Sequence, residues 1–166
     1  MSLTLAAVGA VLAALLELTI VPYLRVGGAQ PDLLLVFAVI WTMVVSFEGG
    51  LAWAFVGGLT TDLLGSSPIG VTSFSLLLSV GAAGLIGRFV TRARYVVPIA
   101  VVFLSSIATS LLAHVLYAAL RGPVPVPDPF GLAVPGALYD MVIAAVLGPL
   151  AVGFHARYGE PERIDW

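Results

Sequence analysis

From Tyr95 to Leu120 the chain runs for 26 residues without an Asp, Glu, Lys or Arg; His114 is the one residue in the run that could take a positive charge. A helix needs about 20 apolar residues to cross the hydrocarbon core of a bilayer, so this run is long enough to span. Similar apolar blocks fill most of the remaining sequence. Hydrophobic residues make up 60% and charged residues 10%, against roughly 25% charged in soluble domains. The mean hydropathy is +1.11. One water-soluble core in a chain of 166 residues has no use for that much apolar surface. The expected class is an all-α, polytopic membrane protein.

The charge balance excludes some functions. The formal net charge is −2, with seven Arg, no Lys and nine acids, which is no basic surface for nucleic acid. There is no Cys, so disulfides, thiolate catalysis and zinc–thiolate sites are ruled out. The N-terminal apolar run lacks a basic flank and an Ala-x-Ala cleavage signal, and is read as a retained first span.

Six spans are predicted. They are Leu3–Leu24, Leu33–Phe47, Leu51–Leu64, Ile69–Gly87, Tyr95–Leu120 and Phe130–Phe154. The second and third are short for full crossings at about 1.5 Å per residue, which leaves a thinned bilayer or a partly re-entrant arrangement open. Pro31-Asp32 opens the second helix, because proline suits a first turn and an acid suits its positive end. Pro123, Pro125, Pro127 and Pro129 hold the segment before the sixth span in an extended loop. The resulting organisation is a six-span domain over 1–155 with a short polar tail over 156–166. Arg25 and Arg121 fall on one side of such a bundle; Arg88, Arg92, Arg94, Arg157 and Arg163 fall on the other. By the positive-inside rule both termini are expected in the cytoplasm.

Glu17 and Asp140 are the acids placed deepest in the spans. Carboxylates at that depth normally face the bundle or a wet cavity. They read either as a proton or ligand site between the first and sixth helices, or as groups kept neutral or hydrogen-bonded to a nearby Ser, Thr or Tyr139. His114 shares a helix face with Ser110, four residues earlier. It is a relay candidate or a packed neutral histidine. Gly50, Ala54 and Gly58 repeat at a spacing of four and allow close helix approach. Arg88, Arg92 and Arg94 are expected to set topology and to meet anionic lipid headgroups. No zinc-binding helix and no nucleophile elbow occurs. Neither an enzyme nor a metal or cofactor site is expected.

Two passages carry a more specific signal. One is Gln30-Pro31-Asp32-Leu33-Leu34-Leu35-Val36; the other runs from Phe55 to Gly70 and contains Asp62-Leu63-Leu64-Gly65-Ser66-Ser67-Pro68-Ile69-Gly70. Together they resemble the bacterial rod shape-determining protein MreD family. That family has Pro-Asp-Leu-Leu at the second helix and Asp-Leu-Leu-x-Gly-x-Pro-Leu-Gly after the third. The resemblance implies a non-enzymatic inner-membrane component of the cell-elongation machinery that scaffolds lateral peptidoglycan synthesis. Its implied partners are an MreC-like bitopic protein, MreB and a RodA/PBP2-type synthase pair. It also implies a bundle similar to the substrate-binding subunits of ECF vitamin transporters, which keeps a small-molecule transporter or ECF-type subunit as the alternative function.

The motif residues have a physical reading of their own. Asp32 suits a helix N-terminus, where free amides need acceptors. Asp62 falls in a last turn, where the helix dipole disfavours it. Its expected compensation is a hydrogen bond to the Gly65–Ser67 turn or to a partner beyond it. Pro68 and Gly70 restart the chain. The hairpin is expected to form a rigid, partner-facing corner.

Overall fold

A computed structural model describes residues 3–25, 28–89, 96–121 and 129–158. Arg92 and Arg94, most of the Pro-rich segment and residues 159–166 of the expected tail lie outside them. Six helices form among the described residues. They are α1 (Leu3–Thr19), α2 (Leu33–Val44), α3 (47–64), α4 (Val71–Phe89), α5 (Val96–Arg121) and α6 (Pro129–Tyr158). A short 3-10 turn, Val21–Leu24, comes after α1 and carries Pro22 in its first turn. The last helix runs past residue 156, where the polar tail was expected to begin.

The class is all-α, but six transmembrane helices do not form. Only Val71–Arg88, Val96–Leu120 and Ala133–Gly153 are long and apolar enough to cross a membrane among the described residues. The physical reason lies in length and burial. The 12 residues of α2 rise only about 18 Å at 1.5 Å per residue. An apolar helix of 10–14 residues is more often a buried core helix than a span. That is how α2 is used: Leu34, Leu35, Val36, Ala38 and Val39 are almost wholly buried, and α2 touches every other helix. α1 stops after 17 residues, ahead of the proline.

α1 packs with its small side chains inward. Ala6, Ala10, Ala13 and Ala14 are buried, whereas Leu5, Leu12, Leu15 and Leu16 face out. In water this pattern would be inverted. Against lipid it is favourable, because small residues let helices approach and the tails accept the leucines. A side-chain carbon on Gly9 would sit 2.7 Å from the Trp53 ring. Trp53 in turn stacks on Phe37 at 5.7 Å and meets Trp41 at 5.5 Å.

α3 is regular at both ends and carries a π-helical turn, Trp53–Gly57, in the middle. Its glycines face the protein. Gly50 lies against Thr42, Gly57 against Leu34, and a carbon added to Gly58 would meet the Ser73 Cα at 2.6 Å. The small-residue stripe is therefore internal packing.

Contacts order the helices end to end. Leu33 at the start of α2 meets Glu17 near the end of α1, and Asp62 near the end of α3 meets the first residues of α4. At the opposite end Phe47, which opens α3, packs against Gly84 late in α4. The Arg88 guanidinium lies 5.3 Å over the Phe47 ring, a cation–π contact. Midway, the Thr109 hydroxyl donates to Ser79 at 2.7 Å and ties α5 to α4.

Candidate functional site

The start of α2 is inside the protein, so its first amides cannot be left to water. An α-helix begins with four N–H groups that have no intrahelical acceptor, and leaving a buried donor unsatisfied costs about 1–3 kcal/mol. Three carboxylates from three parts of the chain solve this. Asp140 Oδ1, from α6, accepts from the Asp32 amide at 2.6 Å. Glu17 Oε2, from α1, accepts from Leu33 at 2.8 Å and Leu34 at 3.4 Å. Asp32 caps its own helix, its Oδ1 accepting from Leu35 at 2.8 Å. The second oxygen of Asp140 accepts from the Ser106 hydroxyl of α5 at 2.5 Å. Each contact is charge-assisted when the carboxylate is ionised, and each acid sits at the positive end of the α2 dipole.

These groups form one wall of a cavity of about 410 Å³. Arg25, Gln30, Ser110 and His114 complete its polar lining, and Ala133 and Gly136 close it on the α6 side. The Arg25 guanidinium donates to Gln30 Oε1 at 2.7 Å. Glu17, Asp140 and His114 thus line one space with Asp32. Ser110 and His114 share it too, joined by Ser106 one turn earlier on the same face of α5. Ser106 leaves a faint sequence signal: Ser106, Ser110 and His114 recur at intervals of four. Arg25, Gln30 and Gly136 leave none, since their place depends on how the 28–32 segment passes α6. Gln30 offers its carbonyl 3.5 Å from where a Gly136 side chain would start.

The other motif residues build a second centre. Asp62 is 2% exposed. Its Oδ2 accepts from the Gly70 amide at 2.9 Å, the Ser73 amide at 3.3 Å and the Ser73 hydroxyl at 3.2 Å; Oδ1 accepts from Thr72 at 3.1 Å. Asp62 therefore serves the N-terminus of α4 rather than the Gly65–Ser67 turn. Its place in the last turn of α3 is reconciled with electrostatics by the positive end of the next helix. Gly70 has φ +97°, a left-handed value that glycine takes without steric cost. Pro68 is half-buried beside it. Arg88 occupies the last turn of α4, where a cation complements the dipole, at the end away from both acid centres.

Among the described residues no group of three or more His, Cys, Asp or Glu could hold a metal ion, the cavity acids included. Comparison with curated proteins and with solved structures finds no match in either. The likeness to ECF substrate-binding subunits thus has no structural counterpart to support it. A family match is found, to the rod shape-determining protein MreD, over residues 2–157. It takes in α1 to α6 up to one residue short of the last helix end, both acid centres and every residue of the cavity wall. With its apolar helices, this identifies a bacterial, multi-pass, non-enzymatic membrane protein of cell-shape biology: the chain belongs to the MreD family of rod shape-determining proteins.

Proposed function

We propose that the protein is a scaffold of the elongation complex in the cytoplasmic membrane, holding an MreC-like bitopic protein in register with the machinery of lateral wall synthesis. MreB and a RodA/PBP2-type synthase pair are the further partners of this reading. The observation that carries it is the pair of acid-capped helix starts, at α2 and at α4. The Asp62 centre ties the end of α3 to the start of α4, and the Asp32 centre ties the end of α1, the start of α2 and the Asp140 turn of α6. A partner would therefore meet a preformed surface and lose little entropy in ordering it.

In this reading the start of α4 faces outward and the Arg88 end faces the cytoplasm, with the C-terminal end of α6, in keeping with the arginines on that side. Single cysteines at Val124 and Thr91 test the orientation in a chain without native Cys. An impermeant maleimide should label Val124 in intact cells and leave Thr91 untouched; the reverse pattern refutes the orientation. For the function itself, clean deletion should convert rods to rounded cells, and detergent extracts should yield a single-span partner with the protein. Rods of normal shape after deletion, with no second family member in the genome, would sink the scaffold reading.

A further inference from the structure

The first turn of α2 lies deep in the bundle. Asp140 accepts from the Asp32 amide with one oxygen and from the Ser106 hydroxyl with the other, so the three residues share one level. Asp140 comes seven residues into the apolar span Ala133–Gly153, and Ser106 comes fourteen residues before the end of Val96–Leu120. At 1.5 Å per residue these are about 10 Å and about 21 Å of helix, measured from the side of the α5–α6 connection. In a hydrocarbon core about 30 Å thick, the start of α2 therefore sits well below that surface. Glu17 brings the end of α1 to the same level through the Leu33 amide. The fifteen residues between Glu17 and Leu33 thus leave that level and return to it.

The return is not helical. Residues 28–32 form no helix, and their exposure alternates as along an extended strand: Gly28 and Gln30 are exposed, Ala29 and Pro31 buried. Irregular backbone at membrane depth is tolerated only where protein buries it or where it lines a water-filled space. Ala29 and Pro31 meet the first condition. Gly28 and Gln30 meet the second, because both line the cavity of about 410 Å³. On α5 that cavity runs along Ser106, Ser110 and His114, and on α6 along Asp140, Gly136 and Ala133. Both series climb from the level of Asp32 toward the α5–α6 connection, so the floor is at Asp32 and the mouth is on that side. The exposed side chains of Arg25, Gln30 and Ser110 supply the polar partners that water requires. Lipid tails could satisfy none of them, and a guanidinium inside a membrane protein normally turns to a wet cavity.

We propose that residues 28–32 are a re-entrant segment and that the cavity they line is a water-filled inlet, open on the side of the α5–α6 connection and reaching about 10–20 Å into the bilayer. The inlet does not rest on the scaffold reading. Only the compartment that its mouth faces rests on the orientation given there.

The test places single cysteines in the full chain, in intact cells, and adds a small thiol reagent with a permanent positive charge. The reacting species is the thiolate, which forms in water and is suppressed against apolar surroundings. Leu104→Cys and Val142→Cys are the controls for depth: each lies two residues from Ser106 or Asp140 on the same helix, at an exposed apolar position of a span. Gln30→Cys and Ser110→Cys should react about tenfold faster than these or more. His114→Cys, nearer the mouth, should react ahead of Ser110→Cys. If Gln30→Cys and Ser110→Cys stay unreactive while Val124→Cys reacts, the inlet is overturned. Equal rates at positions 30, 110, 104 and 142 overturn it too, since they would put the outer faces of α5 and α6 in water at that level. Ser110→Cys reacting ahead of His114→Cys overturns the position of the mouth. The orientation is read separately. If Val124→Cys and the cavity variants all react only after the cells are permeabilised, the orientation fails and the inlet is supported.

Discussion

The two acid centres solve the same problem in different ways. Around Asp62 one carboxylate meets four donors, three of them backbone amides fixed by the start of α4, and it is sealed at 2% exposure. Around Asp32 the work is divided among three acids from α1, α6 and α2 itself, and part of that acceptor capacity opens onto a cavity. The closed centre has no capacity left for a ligand. The open centre divides the same task among three acids and leaves them beside a cavity.

Substitutions at the two centres should separate them. Asp62→Ala leaves one buried and two part-buried amides and the Ser73 hydroxyl without their acceptor and should give the largest effect, about 3 kcal/mol or more, read as lost folded protein or a strongly reduced Tm in detergent. Gly58→Ala ranks next at about 2 kcal/mol, because its new carbon meets Ser73 backbone rather than a side chain that can turn away. Asp62→Asn should cost roughly 1–2 kcal/mol: one oxygen remains, but the amide nitrogen must face an N–H donor. Gly70→Ala has open space around it and only its positive φ to contend with, so about 1 kcal/mol is expected. Glu17→Gln and Asp140→Asn should be mildest, under about 1 kcal/mol each. Their retained oxygen can serve the α2 amides, while the new nitrogen faces the cavity or a serine hydroxyl free to reorient. Equal losses in Asp62→Asn and Glu17→Gln would erase the distinction between closed and open caps.

The all-α class and the membrane setting were legible in hydropathy alone, because burial in lipid leaves long uncharged runs such as Tyr95–Leu120. The number of full spans was not. Composition treats Leu33–Val44 as membrane-compatible, and nothing in it says that five neighbouring helices rather than lipid surround those leucines. Asp32 was legible as a cap because the amide it serves lies three residues along the same helix. Asp62 was legible as an acid in need of a partner, but its donors belong to the next helix and come into reach only when the hairpin closes. The cavity was half visible. Glu17, Asp140 and His114 stand out as polar groups in apolar runs, whereas their meeting at α2 spans 108 residues between Asp32 and Asp140 and leaves no local pattern.

The π-helical turn in α3 bears on how such a sequence can change in length. Gly50 and Gly58 are eight residues apart, about 80° out of line on a regular helix, yet both face neighbouring elements closely. A π turn accommodates one extra residue without rotating the helix beyond it. The effective spacing becomes seven, which brings the pair back to within about 20°. The turn therefore marks the place where α3 can lose one residue and keep its glycines and Asp62 aimed as they are. A deletion on either side of it would turn the carboxylate by about 100° away from α4. In a lineage of related chains, gaps in this helix should collect between Trp53 and Gly57 and be absent from the Gly58–Asp62 stretch.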